Sequence, residues 1–568
     1  MNNFKDFIYQ RPNSDDFAAR YQELLTEFDS ENSGENQVAV IMKINEHRKK
    51  YSSMRTLCHI RHTVDTKDSF YEEEQQHFDI TGPSLANLDH TFYSKILNSP
   101  FKETIVAHFG NQLMVIAASA IKTFDPSIIP DMQEENKLVS DYVKIQASAE
   151  IDFKGENLNL STIQKYEVSK DRAERKAAAF AKWNFFEKQE ERVAFIFDQL
   201  VKVRHRTAQK LGFNNYVELG YQRMLRSDYN AQDVERFREF IRLKIVPIAS
   251  EIYEKQRQRL GLESLQFYDE GFQFKEGNPS PLGDEDWIVE QAEKMYFELS
   301  SETHAFFQMM KNQGLMDLKS GPGKATGGYC TFIEKEKVPF IFSNFNGTSG
   351  DMDVLTHEAG HAFQVYKSGH AKISEYIWPT YEACEIHSMS MELFTMPWMS
   401  LFFGEKAIQY QYGHIANAIK FLPYGAAIDE FQHFVYSQPD CTIDDRYQAW
   451  RAIEQKYLPH RQYDGQEFLE KGTFWIRQTH LFSVPFYYID YALAQICAFQ
   501  FWRMNVEDHE KAWNNYVNIC SIGGSVSFLE IVKQAGLESP FEQRAFDHVV
   551  GYLKRWLTDK EKDLFDDH

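Results

Sequence analysis

The sequence predicts a mainly α-helical protein with one short β-hairpin. Two long segments, residues 163–210 and 234–260, have the residue pattern of helices. Near the middle of the chain, GGYCTFI (327–333) and VPFIFSNFNG (338–347) flank a charged turn and are rich in aromatic and β-branched residues, which favour strands. No Pro/Gly/Ser tract, low-complexity segment or internal repeat interrupts the 568 residues, so the composition marks no linker.

Charge and cysteine usage limit the partners and the compartment. The chain has 62 Lys and Arg against 83 Asp and Glu, a net charge of −21, which argues against nucleic acid and anionic membranes as partners. Six cysteines without paired spacing predict reduced thiols in a cytoplasmic protein, and no signal peptide is expected. The apolar segment 480–502 contains Pro485, Asp490, Gln495 and Gln500, so it predicts a buried helix rather than a membrane span.

The segment HEAGH, from His357 to His361, matches the HExxH pattern of zinc peptidases. Residues 348–350 offer a helix N-cap and Gly369 a C-terminal stop, so the motif is expected in the middle of a helix. There His357 and His361 lie one turn apart on one face and can bind the same Zn²⁺. Glu358 can then take a proton from a water that attacks a carbonyl group.

Two further interpretations accompany the motif. A chance HExxH is expected about once in twenty chains of this composition, and would leave two ordinary histidines on a helix. Asp353 lies one turn before His357. It is predicted either to hold the second ring nitrogen of His357 or to interact only with the helix dipole.

A catalytic zinc site needs a third protein ligand. The next helical segment, residues 380–398, places Glu382, Glu385 and Glu392 close to one face among mostly apolar neighbours. Carboxylates in such surroundings need a partner, which is either a metal or a Lys or Arg side chain. The spacing after His361 excludes the thermolysin-like, zinc aminopeptidase and metzincin arrangements, because other residues occupy the positions of their ligands. Those positions hold Tyr381, Thr380, Gln364 and Lys367.

Glu385 follows His361 by twenty-four residues, and Glu392 follows Glu385 by seven. In this spacing the sequence resembles the thimet oligopeptidase and oligoendopeptidase F family of zinc peptidases. The resemblance implies that His357, His361 and Glu385 bind one Zn²⁺ and that Glu358 is the general base. Glu382 is the fallback ligand, and Glu392 is expected beside the ligands rather than among them.

A second cluster lies downstream. His480, Tyr488 and Tyr491 match a His and paired tyrosines that reach the reaction centre in the same family, although the linker here is a residue shorter. A phenol or imidazole donor at the developing oxyanion typically lowers the barrier by about 3 kcal/mol. Tyr488 is the first candidate donor, followed by His480 and Tyr491.

The resemblance also implies the architecture. Two helical lobes are expected to enclose a deep substrate channel, with residues 1–200 as the N-terminal lobe and 201–568 as the catalytic lobe. A small β-sheet is expected next to the zinc-binding helix, where an edge strand can pair with an extended peptide. The predicted protein is a monomeric, cytoplasmic, zinc-dependent endopeptidase that hydrolyses internal bonds of short oligopeptides.

Three alternatives stay open from the sequence. A zinc carboxypeptidase or peptidyl-dipeptidase of the same fold needs a cation for the terminal carboxylate, and Arg477 and Arg503 are candidates. A helical di-iron protein needs two Glu-x-x-His units, and Glu74 to His77 supplies a second one in a charged segment. A peptide-binding protein without catalysis has no need of Glu358.

Overall fold

The computed structural model describes residues 3–565, which are mainly α-helical. The first part contains α1 (Ser14–Ser30), α2 (Gly34–Val64), α3 (Ser69–Asn98), α4 (Lys102–Phe109), α5 (Gln112–Lys122), α6 (Ile129–Ala147), β1 (Ile151–Phe153), β2 (Glu156–Leu158), α7 (Gln164–Glu167), α8 (Arg172–Lys188), α9 (Glu190–Lys210), α10 (Tyr216–Arg223), α11 (Ala231–Phe240), α12 (Val246–Arg259), α13 (Glu285–Leu299) and α14 (Ser301–Asn312).

The second part holds the larger sheet and the helices that follow it. They are β3 (Met316–Lys319), β4 (Tyr329–Ile333), β5 (Val338–Phe345), α15 (Gly350–Ser368), α16 (Tyr381–Phe394), α17 (Ser400–Phe403), α18 (Ala407–Ser437), α19 (Ile443–Tyr457), α20 (Glu467–Glu470), α21 (Thr479–Ser483), α22 (Tyr488–Glu507), α23 (His509–Ile522), α24 (Phe528–Gln534) and α25 (Gln543–Phe565).

Both long helical segments predicted from the sequence are helical but interrupted. Residues 163–210 form α7, α8 and α9, because the Asp171 side chain caps a new helix at α8. Residues 234–260 run from α11 to α12 through a π-helical turn, Ile241–Ile245. Helical periodicity therefore predicted the structural class correctly and placed the breaks less well.

Helices α1 to α5 have a hydrophobic core of their own, separate from the main core of the chain. Ile373 and Tyr376, from the segment between α15 and α16, are part of this smaller core. A buried ion pair joins the same surfaces, with Arg48 Nη2 2.5 Å from Glu375 Oε1. The segment that connects the two motif helices is thus fixed against the N-terminal helices.

The predicted hairpin forms, and a third strand joins it. Strand β4 pairs antiparallel with β5, and β3 pairs parallel with the other side of β5, so β4 lies at an edge. The pairing of β3 was not predicted, because a parallel partner is distant in sequence and leaves no local signal. Strand β5 is mostly buried and leads through residues 346–349 into α15.

Helices α15 and α16 approach each other unusually closely at Gly360. A Cβ added to Gly360 would lie 2.6 Å from Ser388 Cα and 2.8 Å from the His387 carbonyl oxygen. Real Cβ atoms essentially never show such distances. The glycine of the HEAGH segment therefore permits the helix packing that brings the two motifs together.

The segment 480–502, predicted as one buried helix, is broken between α21 and α22. Phe486 is fully buried and has a φ of +69°, which is strained for a residue with a bulky side chain. Its N–H donates to Gln432 Oε1 at 2.6 Å, and its carbonyl accepts from Arg226 Nη2 at 2.6 Å. These two bonds hold the turn, and the turn sets where the tyrosines of α22 begin.

Within residues 3–565, no single helix has both the length and the hydropathy needed to cross a membrane. Helices α4 and α5 reach that length and composition only when joined, and they are bent by 116°.

We predict that Gly360→Ala destabilises the metal-free protein by about 1–3 kcal/mol, because the added methyl group forces α15 and α16 apart. Thermal unfolding measures the loss. Gly551→Ala is the matched control, since it lies in α25 and an added Cβ meets only the end of the Arg555 side chain, 3.6 Å away. The control should be neutral or slightly stabilising, because Ala favours helix. Equal unfolding temperatures for the two variants would contradict the close-packing explanation.

Candidate metal centre

The three predicted ligands lie together where α15 packs on α16. Glu385 Oε2 is 3.2 Å from His357 Nε2 and 3.5 Å from His361 Nε2, and the three donor atoms lie within 4.8 Å of one another. Two ligand atoms of a tetrahedral zinc ion lie about 3.3 Å apart when each is about 2.05 Å from the metal. Two imidazoles and one carboxylate are also a donor set of catalytic zinc sites. The residues present therefore fit such an ion.

Two neighbouring side chains orient the donor groups. Glu392 Oε1 is 2.7 Å from His357 Nδ1, so this carboxylate fixes the ring whose Nε2 faces Glu385. Ser388 Oγ donates to Glu385 Oε2 at 2.8 Å. The expected position of Glu392 beside the ligands thus agrees with the geometry.

The prediction that Asp353 holds the second ring nitrogen of His357 was wrong. Asp353 accepts hydrogen bonds from Tyr410 and from His414 Nδ1, the latter at 2.9 Å, rather than contacting His357. His414 Nε2 in turn lies 3.1 Å from Glu392 Oε2. Asp353 is therefore connected to His357 through His414 and Glu392. His414 lies on α18, a helix that the sequence did not connect to the motif.

Glu382, the fallback ligand, lies elsewhere. Its Oε1 accepts from Tyr229 at 3.0 Å, and it belongs to a buried group that includes the Arg226–Asp490 ion pair, 2.7 Å long. Burial raises the pKa of Glu382, and the Arg226 guanidinium, which is also paired with Asp490, offsets only part of this rise. One turn of helix thus separates a carboxylate held by protein groups from one that faces the histidines.

Glu358 faces the same space as the three donors. It is buried, and among the described residues its Oε2 has no hydrogen-bond partner. Burial raises the pKa of this carboxyl above its usual range, which makes the carboxylate a stronger proton acceptor. A Cβ at Gly328 would lie 3.5 Å from Glu358 Oε1, so the backbone leading into edge strand β4 runs beside the carboxylate.

A cavity of about 640 Å³, which we call the metal cavity, is lined by the three donor residues and Glu358. His480 and Tyr491 line it, with Tyr491 Oη 3.3 Å from His480 Nε2. Tyr487 lines it as well and donates a hydrogen bond to Glu385 Oε1. Tyr488 lines an adjoining cavity of about 370 Å³, to which His480 and Tyr491 also contribute.

Sequence reasoning missed Tyr487. The segment was treated as one continuous helix, on which Tyr488 and Tyr491 share a face, but the turn at Phe486 starts α22 at Tyr488. Tyr487 is therefore the N-cap residue of α22, and its hydroxyl contacts Glu385. Two adjacent tyrosines, Tyr487 and Tyr488, were visible in the sequence as candidates. Only the backbone turn at Phe486 decides that Tyr487 is the one that contacts Glu385.

The other cationic and acidic candidates lie outside the site. Arg477 stacks over the rings of Phe474 and Tyr424, and neither it nor Arg503 lines the metal cavity. Glu74 is bound by Arg11, with Nε 2.9 Å from both carboxylate oxygens. Within the described residues the only metal-compatible group is that of His357, His361 and Glu385, so the di-iron interpretation is wrong.

Comparisons with known proteins agree with this picture. Two family models match the chain, peptidase family M3 over residues 166–550 and the peptidase M3 N-terminal domain over residues 4–124. A solved structure of PZ peptidase A with an inhibitor is 52% identical, with a TM-score of 0.97, and the match covers 98% of this chain and 99% of that chain.

Two further relatives extend the comparison. A structure described as a candidate oligoendopeptidase F from Bacillus anthracis strain Ames is 48% identical, with a TM-score of 0.93 and 99% of both chains covered. An oligoendopeptidase F homologue of Mycoplasma genitalium is 24% identical over 368 residues, which are 61% of this chain and 57% of that protein. The family resemblance and the fold class predicted from the sequence are both confirmed.

We predict that Glu385→Gln strongly reduces bound metal, because an amide replaces the carboxylate that faces both histidines. Glu382→Gln is the matched control on the same helix and should retain metal, since its carboxylate contacts Tyr229 instead. Metal content after dialysis, measured by elemental analysis, distinguishes the two. Loss of metal in the Glu382 variant alone would reverse the assignment of the third ligand.

We predict that Glu392→Gln lowers metal affinity by about tenfold to a hundredfold while leaving the fold intact, because groups that orient a ligand imidazole typically contribute that much. Competition with a chromogenic chelator measures the affinity, and circular dichroism checks the fold. Unchanged affinity would show that the 2.7 Å contact with His357 does not orient the ring.

Proposed function

The chain belongs to peptidase family M3, and from this we propose that it is a zinc-dependent endopeptidase acting on internal peptide bonds of short oligopeptides. One observation carries the proposal. The three donor atoms of His357, His361 and Glu385 and the unpartnered carboxylate oxygen of Glu358 all face one cavity. A site for structural zinc has no need of such a base, because its fourth position is closed by a protein ligand.

We propose zinc as the metal that His357, His361 and Glu385 hold. When bound, zinc supplies Lewis-acid polarisation of a carbonyl group and of a water molecule. The donor set supports this choice, since two imidazoles and a carboxylate suit zinc better than the all-oxygen sites of Mg²⁺ or Ca²⁺.

Glu358 is proposed as the general base. Its carboxylate takes a proton from the attacking water and later returns it to the leaving amine. Burial raises the pKa of Glu358, which makes its carboxylate a stronger acceptor for the proton of the attacking water. Its position next to the backbone at Gly328 places it beside any peptide chain that lies along β4.

His480 and Tyr491 are proposed as hydrogen-bond donors to the developing oxyanion, together with Tyr488 as predicted from the sequence. Burial lowers the pKa of His480 to about 4, so the imidazole is neutral at pH 7 and donates without carrying charge. Tyr487 has a different role, because its hydroxyl donates its one proton to Glu385 in the metal cavity and so orients that carboxylate.

Two features support an extended, short peptide as substrate. Strand β4 is the edge of its sheet, and Tyr329, Cys330 and Thr331 of this strand line the metal cavity. An extended peptide can therefore add to the sheet through main-chain hydrogen bonds, which do not depend on its sequence. A second cavity adjoins the metal cavity at the shared lining residues His480 and Tyr491.

A monomeric, cytoplasmic protein remains part of the proposal. All six cysteines are free, as a reducing compartment favours. The division into lobes at residue 200 likewise stays a prediction from the family resemblance.

We predict that Glu358→Gln retains zinc but loses several kcal/mol of transition-state stabilisation, since the base is removed and the ligands are not. The assay is mass spectrometry of a peptide mixture, with and without chelator. It includes peptides blocked at both ends, whose cleavage at internal bonds identifies an endopeptidase. Full activity of the Gln variant would contradict the assigned base, and cleavage of only unblocked peptides would favour an exopeptidase.

A further inference from the structure

The metal cavity has one cationic lining residue among those that the structure describes. Arg223, the last residue of α10, lines this cavity, and it is the only Lys or Arg among the described lining residues. The same side chain lines a second cavity of about 430 Å³, beside α3, α5 and α6. Arg223 therefore stands where the metal cavity meets the space inside the N-terminal helices.

The Arg223 guanidinium contacts the protein through one of its three nitrogens. Nη1 lies 3.2 Å from Glu135 Oε2 and 3.5 Å from the Tyr216 hydroxyl. Among residues 3–565 nothing accepts a hydrogen bond from Nε or Nη2, and neither atom is buried without a partner. These two nitrogens form one edge of the guanidinium, the edge that binds both oxygens of a carboxylate side by side.

Glu135 does not neutralise this group. Its other oxygen, Oε1, accepts from Arg204 Nε at 2.6 Å. Arg204 is fully buried and uses its remaining nitrogens on the Tyr436 hydroxyl and on the carbonyls of Leu481 and Phe482. One carboxylate thus faces two permanently charged guanidinium groups, so these three side chains together carry a net charge of +1.

The backbone after Arg223 is rigidly fixed. Leu225, which also lines the metal cavity, has a φ of +56°, a strained value for a side chain that branches at Cγ. The next residue, Arg226, is buried and paired with Asp490 at 2.7 Å. Strain of this kind persists only where the surroundings hold it, so the turn fixes the backbone that follows Arg223.

We propose that Arg223 binds a substrate carboxylate and thereby sets how far from that carboxylate the peptide is cut. The carboxylate is that of the peptide C-terminus or of an acidic side chain, which share the same chemistry. This inference rests on the proposed function and adds to it a specificity-determining residue. It also replaces Arg477 and Arg503, which lie outside the metal cavity, as the group suited to read a terminal carboxylate.

The test uses the full-length, metal-loaded enzyme and a ladder of short N-acetylated peptides that differ by one residue in length. Each peptide lacks acidic side chains and is made with a free C-terminal carboxylate or as the amide. A second set consists of amides that carry a single Glu at successive positions. The measurements are kcat/KM and, by mass spectrometry, the position of each cut.

For the wild type we expect kcat/KM to be about tenfold to a hundredfold higher for the free acids than for the amides, as hydrogen bonds to a charged group imply. The cut should fall at a constant distance from the C-terminus. Arg223→Gln should lose both the preference and the constant distance, so that the free acid and the amide of one length are cut at similar rates. Arg223→Lys should keep part of the preference, because it retains charge without the paired donors.

Controls separate binding from folding. Arg503→Gln, on α22 outside the cavity, should behave as the wild type, and all variants should match it in metal content and unfolding temperature. If the glutamate-bearing amides are cut fast at a constant distance from Glu, Arg223 reads acidic side chains, which supports the shared chemistry.

Metal-dependent hydrolysis with the same rates and positions in the wild type and in Arg223→Gln would overturn the role of Arg223 alone. Absence of chelator-sensitive hydrolysis of every peptide would instead contradict the proposed function, and the role of Arg223 with it.

Discussion

The close packing of α15 on α16 is the constraint on which the rest of the site depends. Neither helix contains a complete metal site, since α15 supplies two imidazoles and α16 one carboxylate. The required distance between donor atoms is little more than 3 Å, which side chains of ordinary helix pairs, 8–10 Å apart, reach only in a limited set of geometries. Gly360 removes the one Cβ that would stand between the two backbones. The residue inside the motif that has no side chain is therefore as necessary as those that bind.

The three glutamates of α16 show how position on a buried helix decides what a carboxylate does. All three are in surroundings where a lone charge is costly, and each has a different solution. Glu382 shares the Arg226–Asp490 group, Glu385 faces the two histidines, and Glu392 lies between His357 and His414. Only the middle carboxylate faces the Nε2 atoms of both motif histidines and lines the metal cavity. The electrostatics of the whole helix thus single out one ligand without any change of residue type.

Much of the fold and part of the site follow from local sequence. The helices around HEAGH, the hairpin before it and the second helix with its glutamates were predicted, because each depends on residues within a few turns of one another. The predictions that failed depend on contacts between distant segments. Asp353 was one candidate partner for His357 across one turn, whereas it accepts a hydrogen bond from His414 of α18. Tyr487 was overlooked because Gln432 and Arg226, both remote in sequence, fix the turn at Phe486.

By itself the sequence determined the structural class and the residue types of the candidate metal centre. Two histidines one turn apart, a carboxylate between them and a glutamate at a fixed spacing are properties of order along a chain, and helical geometry converts that order into a shared face. The family spacing already pointed to Glu385, but only the tertiary structure decided which tyrosine reaches that glutamate and which arginine lines the cavity. These choices depend on the rotation and separation of helices. Those are set by packing over the whole core, so no short segment contains the information.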